Sequence, residues 1–120
     1  MSVQLQIEEM SGYLAARFIG EGAPEEVWRQ FELIAEHCDR TNNNKLLVDA
    51  TGAQGPLCLT DRYYLGERSH IFARHGLKLA FVATREQIDP QLFGEMVARN
   101  RGVNARVFTD LQAAEEWLLK

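Results

Sequence analysis

The chain lacks most of the features that would mark a specialised chemistry. Its two cysteines are too few and too irregularly placed for a disulfide framework or a zinc site. Positive charge is not in excess, since 13 Lys and Arg face 17 Asp and Glu, and the net charge of -4 argues against a general nucleic-acid binder. No apolar run approaches the roughly 20 residues of a membrane span, and no signal peptide is visible. We therefore expect a cytoplasmic, soluble protein with reduced thiols.

What is present is the composition of one ordinary globular domain. The chain has 120 residues, of which 46% are hydrophobic and 25% are charged. Folding at this length buries roughly two-thirds of the extended chain's surface, which is enough for a core without covalent staples. No internal repeat, low-complexity segment or linker divides the sequence. A single domain over residues 1–120 is expected.

The spacing of apolar residues predicts the element order β-β-α-β-α-β-α-β-α. Residues 3–8 alternate between apolar and polar, which is typical of a strand with one wet face. Residues 13–19 follow with apolar residues on both faces, so the two segments should form a hairpin. The apolar runs 45–50 and 77–83 read as buried strands, and residues 103–108 read as the last one. Right-handed crossovers through the intervening helices would make these later strands parallel, so an α/β fold is predicted.

Capping residues predict where the helices begin and end. An N-cap side chain accepts a hydrogen bond from a free amide of the first turn, and proline favours the first helical position. Gly76 and Gly102 should end two helices in the left-handed conformation. The predicted starts are Pro24, Thr60, Asp89 followed by Pro90, and a capping box over residues 109–112.

The stretch 45–62 is the segment in which we expect the functional site. It reads as a strand ending near Asp49, a turn-rich loop that contains Gly52 and Gly55, and the start of a helix. Open α/β sheets usually place their working groups at the carboxyl ends of their strands. No complete set of nucleophile, base and orienting group is recognisable in the sequence.

Four segments resemble the SpoIIAA-like (STAS/SEC14-related) group of small bacterial proteins. They are KLLVDATG, GPLCLTDRYYLGE, GLKLAFVAT and RGVNARVFTDLQAAEEWLL. The resemblance implies a mixed sheet of about five strands with an N-terminal hairpin and with helices mostly on one face. It also implies a non-enzymatic regulatory protein. The relatives that are anti-sigma factor antagonists bind a partner kinase around a phosphorylatable Ser or Thr, at the start of the helix after the central strand.

Carried over to this chain, the resemblance places Asp49 at the end of the central strand and Thr60 close to the phosphorylation position. The chain departs from the antagonists there. They have Asp-Ser-Ser/Thr-Gly, whereas this sequence has Leu-Thr-Asp-Arg at 59–62 with no glycine following. The residues expected to contact a partner or regulate the contact are Asp49, Thr51, Gly55, Thr60, Asp61, Arg62 and Tyr63.

Each of these candidates also has a purely structural interpretation. Thr60 serves as a helix cap, with or without regulation by phosphate. Asp49 either accepts amide bonds from the turn that follows it or acts as a base or partner contact. Of the neighbouring tyrosines, one should face the core, leaving the other exposed with Arg62 and Arg68 as a partner surface or a homodimer contact.

Two other functions stay open. A small apolar ligand could bind between the sheet and the helices that follow the third and fourth strands, where aromatic residues are frequent. An enzyme would need a pair assembled from residues such as Asp49, Asp61 and His70, which no motif connects. Three dispersed histidines do not indicate a metal site, and Cys58 is better explained by packing than by catalysis. No cofactor is expected.

Overall fold

The computed structural model describes residues 3–23, 25–54, 59–88 and 93–120. Within these ranges the chain forms five strands and six helices in the predicted order, with two of the predicted helices each divided in two. The elements are β1 (Gln4–Met10), β2 (Tyr13–Glu21), α1 (Glu25–Trp28), α2 (Phe31–Arg40), β3 (Lys45–Gln54), α3 (Leu59–Arg68), α4 (His70–Arg74), β4 (Lys78–Val82), α5 (Phe93–Asn100), β5 (Asn104–Phe108) and α6 (Leu111–Leu119).

The five strands form one sheet whose spatial order follows the chain, β1-β2-β3-β4-β5. β1 and β2 form the predicted antiparallel hairpin, and every later neighbouring pair is parallel. Each crossover therefore steps in the same direction across the sheet. Because such crossovers are right-handed, the helices within them fall on one face.

The two faces of the sheet bury different cores. The larger core receives Phe18 from β2, Phe31 from α2 and Phe72 from α4, and Ala98 from α5 packs into it. The smaller core on the opposite face is closed by α6 through Ala114, Leu118 and the partly buried Trp117, whereas Leu111 at the start of α6 is 45% exposed. Within the described ranges, helices thus lie mostly on one face, and α6 is the helix that covers the other.

The first two predicted helices are both interrupted. The apolar face of the first is correct, since Val27, Phe31, Ile34 and Cys38 are all buried, but a turn at residues 29–30 separates α1 from α2. The second was predicted to run unbroken to Arg74 and instead divides at residue 69. The serine there is buried, and its hydroxyl donates to the carbonyl of Gly66 at 2.6 Å. Such back-bonding to the preceding turn competes with regular helix geometry.

The predicted helix starts are less accurate than the predicted ends. α3 already begins at Leu59, so Thr60 is its second residue and not its N-cap. The cap of α6 is Asp110, one residue later than the start of the predicted box. Its carboxylate accepts from the amides of Gln112 and Ala113, each at 3.3 Å. Pro24 and the pair at 89–90 lie outside the described residues.

Candidate functional site

The carboxyl-terminal half of β3 is the structural centre of the candidate site. The sequence predicts a strand over 45–50 followed by a loop, whereas β3 continues to Gln54 alongside β2. The continuation needs a bulge, because Arg17 pairs with Asp49 while Ile19 pairs with Gly52, which leaves two residues of β3 opposite one of β2. A Cβ at Gly52 would lie 3.0 Å from the Phe18 carbonyl oxygen, so the close approach of the strands requires glycine there.

Asp49 uses its carboxylate to hold this bulge. Oδ1 accepts from the backbone amide of Thr51 at 3.0 Å and from the Thr51 hydroxyl at 2.6 Å. Oδ2 lies 3.6 Å from Nε of Arg17 on β2. The bond from the Thr51 amide is the local one that the sequence predicts. Both carboxylate oxygens are thus engaged with the sheet.

Gln87, in the connection after β4, ties that connection to the same bulge. Its Nε2 donates to the carbonyl oxygens of Ala50 at 2.9 Å and of Ala53 at 2.7 Å. Its Oε1 accepts from the backbone amide of Thr84 at 2.7 Å. One side chain therefore satisfies three backbone groups at the point where β3 and β4 cease to pair. Sequence reasoning missed this residue, because its two partners on β3 are more than thirty positions away.

The first turn of α3 lies beyond the end of β3. Thr60 is exposed and Asp61 is half-buried, and the acid lies in the first turn, where the positive end of the helix dipole favours it. Gly55 and Cys58 lie outside the described residues, and of Arg62 only the backbone position in α3 is described. Of the seven predicted site residues, the structure thus places Asp49 and Thr51 on the bulge and Thr60, Asp61, Arg62 and Tyr63 on α3.

The outer side of α3 joins an aromatic and basic group that spans three helices. The rings of Tyr64 and Trp28 lie 5.5 Å apart, as do those of Tyr63 and Tyr64. The guanidinium of Arg68 lies 5.9 Å from the centre of the Tyr64 ring. Nη2 of Arg101, just after α5, donates to the Tyr63 hydroxyl at 3.3 Å. These five residues are called the aromatic–basic surface below.

The prediction that one of the two tyrosines faces the core is wrong. Tyr63 is half-buried and Tyr64 is 37% exposed. Consecutive helical residues point about 100° apart. The side of α3 that faces the larger core carries Leu65, and the two tyrosines lie on either side of that buried face. Both rings therefore contribute to the aromatic–basic surface.

Two of the three histidines have structural partners. Nδ1 of His75 lies 2.5 Å from a carboxylate oxygen of Asp39, and Nδ1 of His70 lies 2.9 Å from the carbonyl oxygen of Glu67. Burial, with a further contribution from Asp39, raises the pKa of the Cys38 thiol to about 12, so it is not a nucleophile at neutral pH. No group of three metal-ligating side chains occurs among the described residues. His70 and Asp49 contact different neighbours, which gives no support to the pairing considered for an enzyme.

A cavity of about 300 Å³ lies at the opposite end of the strands, where β3, β4 and β5 begin. Its lining includes Lys45, Lys78 and Asn104. This is not the apolar pocket near the helices after β3 and β4 that the sequence raised as an alternative. The apolar-ligand hypothesis stays a prediction. In the described part of the chain, no helix is long and apolar enough to cross a membrane.

Comparison with known proteins identifies the fold. A crystal structure of an anti-sigma factor antagonist from Mycobacterium paratuberculosis is 12% identical, with a TM-score of 0.64, and the match covers 99% of this chain and 96% of that one. An uncharacterised protein with a SpoIIAA-like fold from Shewanella loihica is 22% identical, with a TM-score of 0.55 over 98% and 94% of the two chains. No family model and no curated protein matches the sequence. The predicted SpoIIAA-like fold, an α/β mixed sheet with flanking helices, is confirmed.

Proposed function

We propose that this protein, which has the SpoIIAA-like fold, acts in the cytoplasm as a non-enzymatic regulatory module that binds a protein partner. The contact surface would comprise the bulge of β3 and the segment 51–64, which includes the start of α3. Its members are Asp49, Thr51, Gly55, Thr60, Asp61, Arg62 and Tyr63. The sharing of this fold with an anti-sigma factor antagonist favours a regulatory partner.

The main support is a contrast between two sets of side chains at this edge. Asp49 and Gln87 bond to backbone groups, so they stiffen the end of β3 and are not positioned to transform a substrate. On α3, the next helix along the chain, Tyr63 is half-buried and Tyr64 is exposed, so both offer aromatic area. Tyrosine and arginine are enriched among the residues that dominate binding at protein interfaces. A rigid strand end followed by a helix with an aromatic surface favours binding.

Thr60 is where regulation would act. It is exposed in the first turn of α3, so a phosphate there would lie near the free amides and the positive end of the helix dipole. Asp61 next to it opposes added negative charge. We propose that phosphorylation of Thr60 changes the affinity for the partner, and Thr60→Glu is the matching charged variant.

The test is affinity capture of the tagged chain from its native host, with the recovered proteins identified by mass spectrometry. Wild type, Thr60→Ala, Thr60→Glu and Tyr63→Ala are compared, with Glu116→Ala on α6 as a control on the other face of the sheet. Truncating a central interface tyrosine should weaken binding of the identified partner by roughly 10- to 100-fold. The control should retain it.

If Thr60→Ala and Tyr63→Ala both recover as much of the partner as the wild type does, this surface is ruled out. Tyr63→Phe separates the two contributions of that residue, because it removes the hydroxyl that Arg101 contacts and keeps the ring. Light scattering of the purified protein distinguishes a second copy of the chain from a different partner such as a kinase. A self-association that Tyr63→Ala abolishes would make the surface a homodimer contact.

A further inference from the structure

The cavity lies at the amino-terminal ends of β3, β4 and β5. The proposed partner surface lies at the opposite end of the strands. Its lining includes two lysines and two asparagines, Lys45, Lys78, Asn44 and Asn104. Its volume of about 300 Å³ corresponds to roughly ten water molecules at their liquid volume. The site is therefore large enough for a small charged molecule.

Strand register places three of these side chains in one row. Lys45 of β3 pairs with Lys78 of β4, and Lys78 pairs with Asn104 of β5. Register partners in a parallel sheet project from the same face, and neighbouring strands are roughly 4.8 Å apart. The face is that of α6, because Leu47 and Ala80, two residues further along, pack into the smaller core. Lys45 and Lys78 are thus directly opposite each other on neighbouring strands, a relation in which like charges repel.

The ammonium of Lys78 is held in a fixed position. Its Nζ donates to the carbonyl oxygen of Trp117 near the end of α6 at 2.7 Å. It also lies 4.4 Å from the centre of the Trp117 ring, within cation–π range. An ammonium has three hydrogens, so the bond to the carbonyl leaves donor capacity for another acceptor. Lys78 lines the cavity, and its ammonium is held on the α6 side.

Lys45 has no comparable partner. It is half-buried, and within the described part of the chain it forms neither an ion pair nor a side-chain hydrogen bond. Lys78 is likewise without a carboxylate partner there. A half-buried pair of cations is stabilised when an anion sits between them. The two positive charges of Lys45 and Lys78 match the charge of a bound dianion.

Two glycines keep the cavity open. Gly76 and Gly102 line it, and both have positive φ, +66° and +87°, which disfavours any side chain. A Cβ at either position would meet no atom within 4 Å. The two loops that precede β4 and β5 therefore add no side chain to the cavity at these positions.

We propose that this cavity binds a small phosphate-bearing anion. Lys45 and Lys78 neutralise the charge, and the side-chain amides of Asn44 and Asn104 donate to the remaining oxygens. A phosphate monoester carries close to two negative charges at neutral pH, which matches two ammonium groups better than a single carboxylate does. The site is independent of the proposed partner surface.

The experiment is a titration with inorganic phosphate, followed by amide NMR shifts and by the unfolding temperature, with sodium chloride at equal ionic strength as the reference. Binding should raise the unfolding temperature and move the amides of residues 44–45, 78 and 104. Lys45→Met keeps the aliphatic stem and spares the Lys78 contacts. It should weaken phosphate binding by about tenfold or more, because a charge-assisted bond is lost.

Asn104→Asp is the second variant, and it should weaken binding similarly by adding negative charge. Arg85→Met is the matched control, since it removes one positive charge from an exposed position outside the cavity lining and should bind as the wild type does.

Without phosphate, Lys45→Met should unfold at a higher temperature than the wild type, because the lysine repulsion is gone. Acetate should bind more weakly than phosphate. Unchanged affinity in Lys45→Met, or phosphate effects no larger than those of chloride, would overturn the proposal.

Discussion

Two side chains hold the end of β3 in place, and both do so by binding backbone groups. Asp49 binds an amide two residues away, so its bond is encoded within a short segment and the sequence predicts it. Gln87 reaches Ala50 and Ala53 from a different connection. That bond depends on how β3 and β4 are placed relative to each other, and no local pattern indicates it. The candidate site was therefore located from sequence, but the side chain that secures it was not.

Tyr13 is a buried titratable residue whose behaviour can be tested by pH. Its hydroxyl donates to a carboxylate oxygen of Glu115 on α6 at 2.6 Å. Burial, and then this bond, raise the pKa of Tyr13 to about 12, against an ordinary value of about 10. The folded state therefore retains a proton that the unfolded chain has lost between these two values. The stabilisation is complete below pH 10 and is lost as the pH rises through about 12.

We predict that Tyr13→Phe reduces the free energy of unfolding by about 1 to 2 kcal/mol at neutral pH, because the bond to a charged acceptor is lost. The variant should also lose less stability than the wild type between about pH 10 and 12, by roughly 2 kcal/mol. Urea unfolding at several alkaline pH values measures both effects. Tyr64→Phe, at an exposed ring, is the control and should keep the alkaline slope. Parallel slopes for wild type and Tyr13→Phe would contradict this assignment.

Three helices end in the same way, and each leads directly into a parallel strand. At the end of α4, the amide of Leu77 donates to the Phe72 carbonyl and that of Gly76 donates to the Ala73 carbonyl, which is a Schellman motif. The end of α5 repeats it around Gly102, and the end of α2 repeats it around Asn42. The residue in the left-handed conformation is glycine in two cases and Asn42, at φ 57°, in the third.

These endings explain why helix ends were predicted better than helix starts. A glycine with positive φ is a local requirement, so Gly76 and Gly102 mark their positions in the sequence. The capping box predicted over residues 109–112 puts the cap of α6 at its first residue, whereas the next residue, Asp110, is the one that caps. Both Thr109 and Asp110 accept amide bonds in principle, and the choice between them depends on how Ala114 and Leu118 meet the sheet.

We predict that Asn42→Gly stabilises the protein by about 0.5 to 1 kcal/mol, since glycine adopts this conformation without the steric cost that asparagine retains. Asn42→Ala should destabilise it by about 1 kcal/mol. Chemical denaturation of the three proteins gives the order directly. Asn44→Gly is the comparison for the same substitution at an exposed position outside the motif, where added backbone freedom in the unfolded chain should give no gain. A loss of stability in Asn42→Gly would show that the side chain has a role beyond the turn.

At the scale of the whole molecule, sequence predicted the order and the direction of the strands because the connections leave little choice. Helices between neighbouring parallel strands must lie on one face when every crossover is right-handed. The apolar runs of β3 and β4 indicated burial on both faces, and both faces are buried. The apolar runs do not indicate which element covers the second face. α6 follows the last strand and connects no two parallel strands, so the handedness of crossovers does not determine its position.

The last prediction concerns this unequal division of the core. Among the helices that the structure describes, α6 is the one that closes the smaller core, and it presents Leu118 fully buried beside Leu119, which is 43% exposed. Leu118→Ala should reduce the free energy of unfolding by about 2 to 5 kcal/mol, since it leaves a cavity against the sheet. Leu119→Ala removes the same atoms one residue later and should cost less than about 1 kcal/mol. Urea unfolding followed by circular dichroism measures the pair, and similar losses in both variants would mean that α6 does not seal this face as described.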